Sequence, residues 1–448
     1  MEAYSDDPNA SPLTISHDDP QPPKKRSYTG RIVLLFLAFI GLLVALRNIR
    51  GPRLPLTRDE RVHRILSKTP LIDGHNDLPW LIRAKFHNHI YNEDFTQPFE
   101  KGNLTGHVDL PRLAAGQVGG SFWSVFVPCP RDWEDFSDAT YTESVRQTIE
   151  QIDVVARLRQ AYPDTFSAPP NGTTALQAFQ AGQLISPLGI EGLHSIGNSL
   201  AYLRSFYDLG VSYATLTHNC HNRFADAALA EVAYGDHGAV EVARPRWYGV
   251  SEAGKSLVRE MNRLGMIVDL AHVSAATMRD VLGAGKDDWP GSRAPIIFSH
   301  SSAFALCPHP RNVPDDVLDL VRERDSLVMV NFAPEFISCT ASDRADGLPD
   351  FFPGNATLAR VADHIVYIGE RIGFDHVGLG SDFDGIASTP AGLEDVSRYP
   401  ALIGELLDRG VSDRDAAKVA GGNVLRVWRA VDRVALQMQA EGVPAEDE

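Results

Sequence analysis

Leu71-Ile72-Asp73-Gly74-His75-Asn76-Asp77 is an apolar run of strand length that ends on a histidine and a carboxylate. Residues i and i+2 of a strand point to the same side, so one strand delivers the His75 imidazole and the Asp77 carboxylate to one place. Seven further runs of this kind follow: 119–127, 185–191, 213–218, 266–272, 295–300, 327–332 and 376–382. Amphipathic stretches lie between many of them. In Ser251–Gly265, Leu257, Val258, Met261 and Leu264 form one face and Gly265 is a natural stop. Pro400–Gly410 repeats the pattern with Leu402, Ile403, Leu406 and Leu407, and Thr57-Arg58-Asp59-Glu60 is a capping box ahead of a short helix. Eight buried strands, most followed by a helix, predict an α/β fold of the (β/α)8 TIM-barrel type. A doubly wound open sheet is the alternative, but no GxGxxG or GxxxxGK[ST] loop follows a strand.

In such a barrel the chemistry sits at the C-terminal ends of the strands. Six of the eight runs finish on a histidine or a carboxylate: Asp77, Glu191, His218, His272, His300 and Asp382. These types are rarely buried unless paired or bound to metal. Three histidines with Asp and Glu suit zinc, which takes N and O ligands. Five ligands exceed one tetrahedral site, and a carboxylate such as Glu191 can bridge two ions, which makes a binuclear centre. Asp73, Asp269 and Asp384 read as partners of ligands or as caps at the barrel mouth. His194, His221 and His309 read as hydrogen-bonded core or surface residues.

Composition narrows the function classes. The 448 residues are 44% hydrophobic and 22% charged, which is globular, and the net charge of -16 argues against nucleic acid as a partner. Four cysteines without a CxxC exclude zinc ribbons and thioredoxin chemistry, and leave room for two disulfides. Residues 1–31 are polar and proline-rich, as in a disordered tail. Ile32–Leu46 is then apolar apart from Gly41 and bracketed by Arg31 and Arg47. Fifteen helical residues rise about 22 Å, short of the ~30 Å hydrocarbon core, a gap that snorkelling arginines could cover. A single-pass membrane anchor is therefore expected at 32–48. The flanking charges do not settle its orientation.

Taken together the motifs resemble those of the membrane dipeptidase (renal dipeptidase) family of zinc metallopeptidases, on an amidohydrolase-like barrel. The matching segments are Ile72–Pro79, Gly189–Gly192, Leu216–Cys220, Asp269–Ser274, Phe298–Ala303, Arg311–Asp316 and Gly380–Gly385, in family order over roughly residues 65–430. The resemblance implies a dipeptidase with two Zn2+ per chain. His75 and Asp77 resemble the ligands of one zinc, His272 and His300 those of the second, and Glu191 the bridging carboxylate. His218 matches a substrate-contacting histidine, Arg311 a carboxylate-binding arginine, and Asp382 a catalytic acid/base that also contacts substrate. The implied reaction is hydrolysis of a dipeptide by a hydroxide shared between the metals. Phe336 stands where some relatives carry a substrate-contacting tyrosine.

The family also implies the disulfides Cys129–Cys220 and Cys307–Cys339. These would place the barrel on the lumenal or extracellular side, as a type II membrane protein with a cytosolic tail. The sequons at Asn103, Asn171 and Asn355 fit a glycoprotein on that side. The polar C-terminus carries no glycolipid-anchor signal, unlike animal members. The expected organisation is a tail over 1–31, the anchor at 32–48, a linker with a short helix over 49–64, the barrel over 65–435 and an acidic tail over 436–448. A homodimer is compatible with the sequence. Rival readings are another metal-dependent amidohydrolase on the same barrel, a dipeptidase specialised for cysteinyl-glycine conjugates, and a membrane-tethered binding protein. The last predicts lost ligands, and none is lost.

Overall fold

A computed structural model describes residues 29–49, 55–232, 239–285 and 289–447. Each of the eight apolar runs supplies one barrel strand: β1 (Leu71–Asn76), β2 (Val118–Phe126), β3 (Leu188–Glu191), β4 (Val211–Thr215), β5 (Ile267–Asp269), β6 (Ile297–Phe298), β7 (Leu327–Val330) and β8 (Val377–Leu379). Every neighbouring pair is parallel, and the barrel closes where Asp73 of β1 faces Leu379 of β8. Strands covered on both faces read as continuous apolar runs, which is why runs of strand length locate them.

The strand residues divide between two cores. Ile72, Phe122, Tyr213, Ile267, Ile297, Leu327 and Met329 cluster with Val424, Leu425, Trp428 and Val431 of the terminal helix Asn423–Ala440. Their strand neighbours Leu71, Trp123, Ala214, Val268 and Val328 join the larger cluster with the surrounding helices. The first set fills the barrel, and the terminal helix closes its N-terminal end. Phe122 there packs between Tyr213 and Trp428, at centroid distances of 5.4 and 5.1 Å. Gly189 makes this filling possible, because a methyl at that position would collide with the Tyr213 ring.

Local signals hold up well. Thr57 and Glu60 form the reciprocal capping box, and Ser251 caps Glu252–Leu264, which stops at left-handed Gly265. Seven of the eight strands stop short of their expected C-terminal ends, and β3 ends on Glu191 as expected. His218, His272 and Asp382 lie three residues beyond their strands and His300 two. Two features end the ladders early. His272 and Asp382 both have φ of 66°, which a strand cannot carry. The carboxylates of Asp73 and Asp269 also take the backbone N–H groups of His75, Ser381, Ala271 and Ser299. The pairs Leu229–Glu231 with Val240–Val242 and Cys339–Thr340 with Asp350–Phe351 are antiparallel additions that periodicity does not reveal. Both expected disulfides, Cys129–Cys220 and Cys307–Cys339, are formed.

The membrane anchor requires correction. The chain does form a helix over Thr29–Ile49, in a unit separate from the one that begins at Leu56, and its apolar side chains from Ile32 to Leu42 are largely exposed. Its uninterrupted apolar run is the fifteen-residue stretch whose rise of about 22 Å falls short of the hydrocarbon core. Among the described residues no helix is long and apolar enough to cross a membrane. The anchor at 32–48, the type II topology, the membrane as a partner and the lumenal or extracellular location fall together. Of the expected 1–31 tail, residues 1–28 lie outside the described residues.

Trp428→Ala should open a cavity at the closed end of the barrel and cost about 3–5 kcal/mol. Urea denaturation of the variant beside the wild type checks this.

Candidate active site

Five side chains meet at the C-terminal mouth of the barrel. His75 Nε2 lies 3.2 Å from Asp77 Oδ2 and 3.6 Å from Glu191 Oε2. His272 Nε2 is 2.8 Å and His300 Nε2 3.5 Å from Glu191 Oε1, and the two Nε2 atoms are 3.0 Å apart. All five residues are buried, and His75 Nε2 and Asp77 Oδ1 have no hydrogen-bond partner among the described residues. Buried polar atoms left unsatisfied are costly unless something else engages them. Imidazole nitrogens facing a shared carboxylate are a donor set that fits a divalent transition metal. His75, Asp77 and Glu191 form one grouping of ligand atoms able to hold an ion.

The shell around the histidines supports this fit. His75 Nδ1 lies 2.8 Å from the Tyr213 hydroxyl, His272 Nδ1 3.1 Å from Asn219 Oδ1 and His300 Nδ1 2.8 Å from Ser299 Oγ. Ser299 donates its own proton to Asp269 Oδ2 at 2.7 Å, so its oxygen is free to accept from His300. With Nδ1 of each ring engaged outward, Nε2 is the nitrogen that faces the cluster. Partners of this kind orient a ligating histidine and raise its basicity. Of these partners Ser299 alone is the sequence neighbour of its histidine; Asn219 comes from the segment after β4, and Tyr213 from the interior side of β4 itself.

The cluster floors a cavity of about 410 Å3 whose lining includes His218, Arg311 and Asp382, with apolar walls such as Trp80, Phe126 and Ile386. Burial pushes Asp382 up to about 7; Asp77 and Glu191 act in the same direction, against His75 and Arg311. Its Oδ2 accepts from Asn331 Nδ2 at 3.0 Å. Burial pushes His218 down to about 3, so its imidazole is neutral, and the ring packs beside Phe126 at 4.8 Å and His272 at 4.3 Å. Cys129 Sγ of the Cys129–Cys220 disulfide lies 3.9 Å from His218 Nδ1. Burial also lowers Arg311 to about 10. Arg311 is only 3% exposed, yet its Nε and Nη2 have no hydrogen-bond partner among the described residues.

The remaining expectations divide. Asp269 reaches His300 through Ser299. Asp73 accepts from Ser381 and Tyr399 and so ties β1 to the segment after β8. Asp384, also left-handed at φ 67°, accepts from the His107 backbone N–H at 2.6 Å. His194 and His221 are structural: the Nε2 of each bonds a carbonyl, that of Val127 or Arg244. His309 is buried and hydrogen-bonded as its reading expects, its Nδ1 accepting the Arg311 backbone N–H at 3.2 Å, and it also lines the cavity. Cys129 and Cys220 also come near His194 and His218, but as disulfide sulfurs they offer no thiolate to a metal.

Known proteins align with nearly the whole barrel unit. The profile of the membrane dipeptidase family, peptidase family M19, matches residues 59–442. Dipeptidase aclJ of Aspergillus oryzae is 47% identical over 428 residues, covering 94% of this chain and 92% of that protein. A metallopeptidase of Rhodobacter sphaeroides, solved with a phosphinate mimic of the dipeptide L-Ala-D-Ala, superposes with a TM-score of 0.65 at 25% identity, covering 81% of this chain and 99% of that one. The probable dipeptidase PvdM of Pseudomonas aeruginosa shares the fold, with a TM-score of 0.70 at 22% identity over 84% of this chain and 99% of its own.

Removing an outward partner tests whether the shell serves metal binding. Tyr213→Phe keeps the ring that fills the barrel and deletes the hydroxyl beside His75. Metal affinity should fall by about 10–100-fold, read by competition with a chromophoric chelator. The unfolding midpoint of the metal-free protein should change little by comparison.

Proposed function

The chain belongs to the membrane dipeptidase family, and on that premise we propose that it hydrolyses the peptide bond of free dipeptides with two Zn2+ per chain. It is a metallo-dipeptidase, a hydrolase of peptide bonds. The observation that carries the finer reading is the fork of Arg311, buried and without a hydrogen-bond partner among the described residues, in the same cavity as the Glu191 cluster. A guanidinium with two free donors matches a carboxylate, and a free dipeptide carries one next to its only peptide bond. The Rhodobacter sphaeroides relative, which holds a dipeptide mimic, supports the same substrate class.

His75 and Asp77 would hold one ion, His272 and His300 the other, and Glu191 would bridge them. When bound, zinc supplies Lewis acidity, which acidifies water towards a pKa of ~7 and polarises a carbonyl. The chain's own residues do the rest. Arg311 takes the C-terminal carboxylate and sets the distance from it to the scissile bond. Asp382 uses Oδ1, the oxygen that Asn331 leaves free, to accept the proton of the attacking water and return it to the leaving amine. Its raised pKa of about 7 suits both halves of that transfer. His218, neutral, donates an N–H to the developing oxyanion. The apolar walls, Trp80 and Phe126 among them, keep bulk water from the reacting atoms.

Metal analysis after zinc reconstitution should give two ions per chain. Glu191→Ala should lose both ions or nearly all activity, whereas His218→Ala should keep the metal and lose turnover. One ion or none in the wild type would refute the binuclear reading.

Free dipeptides should be cut far faster than their C-terminal amides, because an amide leaves the buried guanidinium unpaired, at a cost of about 2–5 kcal/mol. Arg311→Ala should erase most of that preference and Arg311→Lys should restore only part of it. Comparing kcat/KM on a dipeptide and its amide checks the point.

A further inference from the structure

We propose that His309 is a further substrate-binding residue, donating from Nε2–H to the same C-terminal carboxylate that Arg311 pairs with. The inference rests on the carboxylate reading of Arg311 and extends it. His309 is buried and lines the cavity together with Arg311. Its Nδ1 accepts the backbone N–H of Arg311 at 3.2 Å. A neutral imidazole with Nδ1 accepting must carry its proton on Nε2. The ring is neutral, because burial and the charge of Arg311 push it down to about 3. Its Nε2–H has no acceptor among the described residues. The wall of the cavity thus presents this donor as well as the two free ones of Arg311.

Two features hold the donor in place. The His309 ring packs on Phe336 at 4.3 Å, and the Arg311 guanidinium lies over the same Phe336 ring at 5.1 Å. One aromatic side chain therefore fixes both groups. The backbone is restricted by Pro308 and Pro310 on either side and by Cys307, which is bridged to Cys339. A carboxylate has about four lone-pair sites, so a bidentate arginine leaves some for another donor. A charge-assisted bond from a fixed ring is stronger than one to a neutral amide oxygen.

The competing role is purely structural, in which Nδ1 steadies the Arg311 backbone and Nε2 does nothing. Two isosteric variants separate the roles. Asparagine places an oxygen near the position of Nδ1 and lacks the Nε2 donor. Glutamine places an amide N–H near Nε2 and lacks the acceptor. The zinc-loaded protein is assayed with alanyl-alanine and its C-terminal amide. Where amide turnover is too slow to measure, the Ki of the amide as a competitor takes its place. His309→Asn should lower kcat/KM on the free dipeptide by about tenfold, mostly through KM, and on the amide by under threefold. His309→Gln should recover most of the loss. Rescue by Asn but not by Gln, equal losses on both substrates, or no loss in either variant would overturn the proposal. Arg311→Ala runs alongside. If it leaves the preference for the free acid intact, the carboxylate reading itself fails and takes this proposal with it. If Arg311→Ala removes the preference while the His309 variants do not alter it, only the role of His309 falls.

Discussion

A single carboxylate organises the mouth of this barrel. Glu191 lies within 3.6 Å of the Nε2 atoms of three histidines that arrive from three different strand ends. Burying so many ionisable groups is unfavourable unless each finds a counter-charge, a hydrogen bond or a metal. Glu191 is the group they share. Its own strand, β3, is short and fully buried, so the carboxylate is delivered by backbone that cannot drift. The outward hydrogen bonds of the histidines then fix the direction from which each ring approaches it.

Two further carboxylates, Asp73 and Asp269, stabilise the backbone rather than the chemistry. Each accepts two backbone N–H groups and two hydroxyls, from Ser381 and Tyr399 in one case and Thr215 and Ser299 in the other. Asp73 thereby joins β1 to the chain leaving β8, and Asp269 joins β5 to its neighbours on both sides. These bonds replace ladder hydrogen bonds where the strands stop. Left-handed backbone at His272, Asp382 and Asp384 lies just beyond. Such conformations cost about 1–3 kcal/mol each and persist only where surrounding contacts over-determine them. At His272 and Asp382 they turn a candidate ligand and the candidate proton carrier toward the cavity.

The sequence made the barrel legible because its strands are apolar on both faces, and all eight runs became strands. It revealed the candidate site because polar residues at the ends of apolar runs are conspicuous. The strand ends themselves were overrun, since periodicity cannot register a left-handed residue or a carboxylate that intercepts an N–H. The two antiparallel pairs escaped for want of length. One histidine between two prolines has no spacing that marks it for a site, and only the fold brings His309 to the cavity. The apolar segment at 32–46 shows the opposite limit. Composition makes it conspicuous, but crossing a bilayer depends on length as well.

The closure of β1 against β8 ties the working site to the direction of protein synthesis. The first candidate ligand, His75, is made early, yet the strand that seals its flank is not complete until Leu379, and the helix that plugs the barrel ends only at Ala440. A chain emerging from the ribosome therefore carries His75 and Asp77 for some three hundred residues before the sheet can close. Long-range pairings of this kind form slowly and leave strand edges exposed while they wait. The barrel closes only with its last strand, and a nascent chain that stops short of it is left with an unsealed edge at β1.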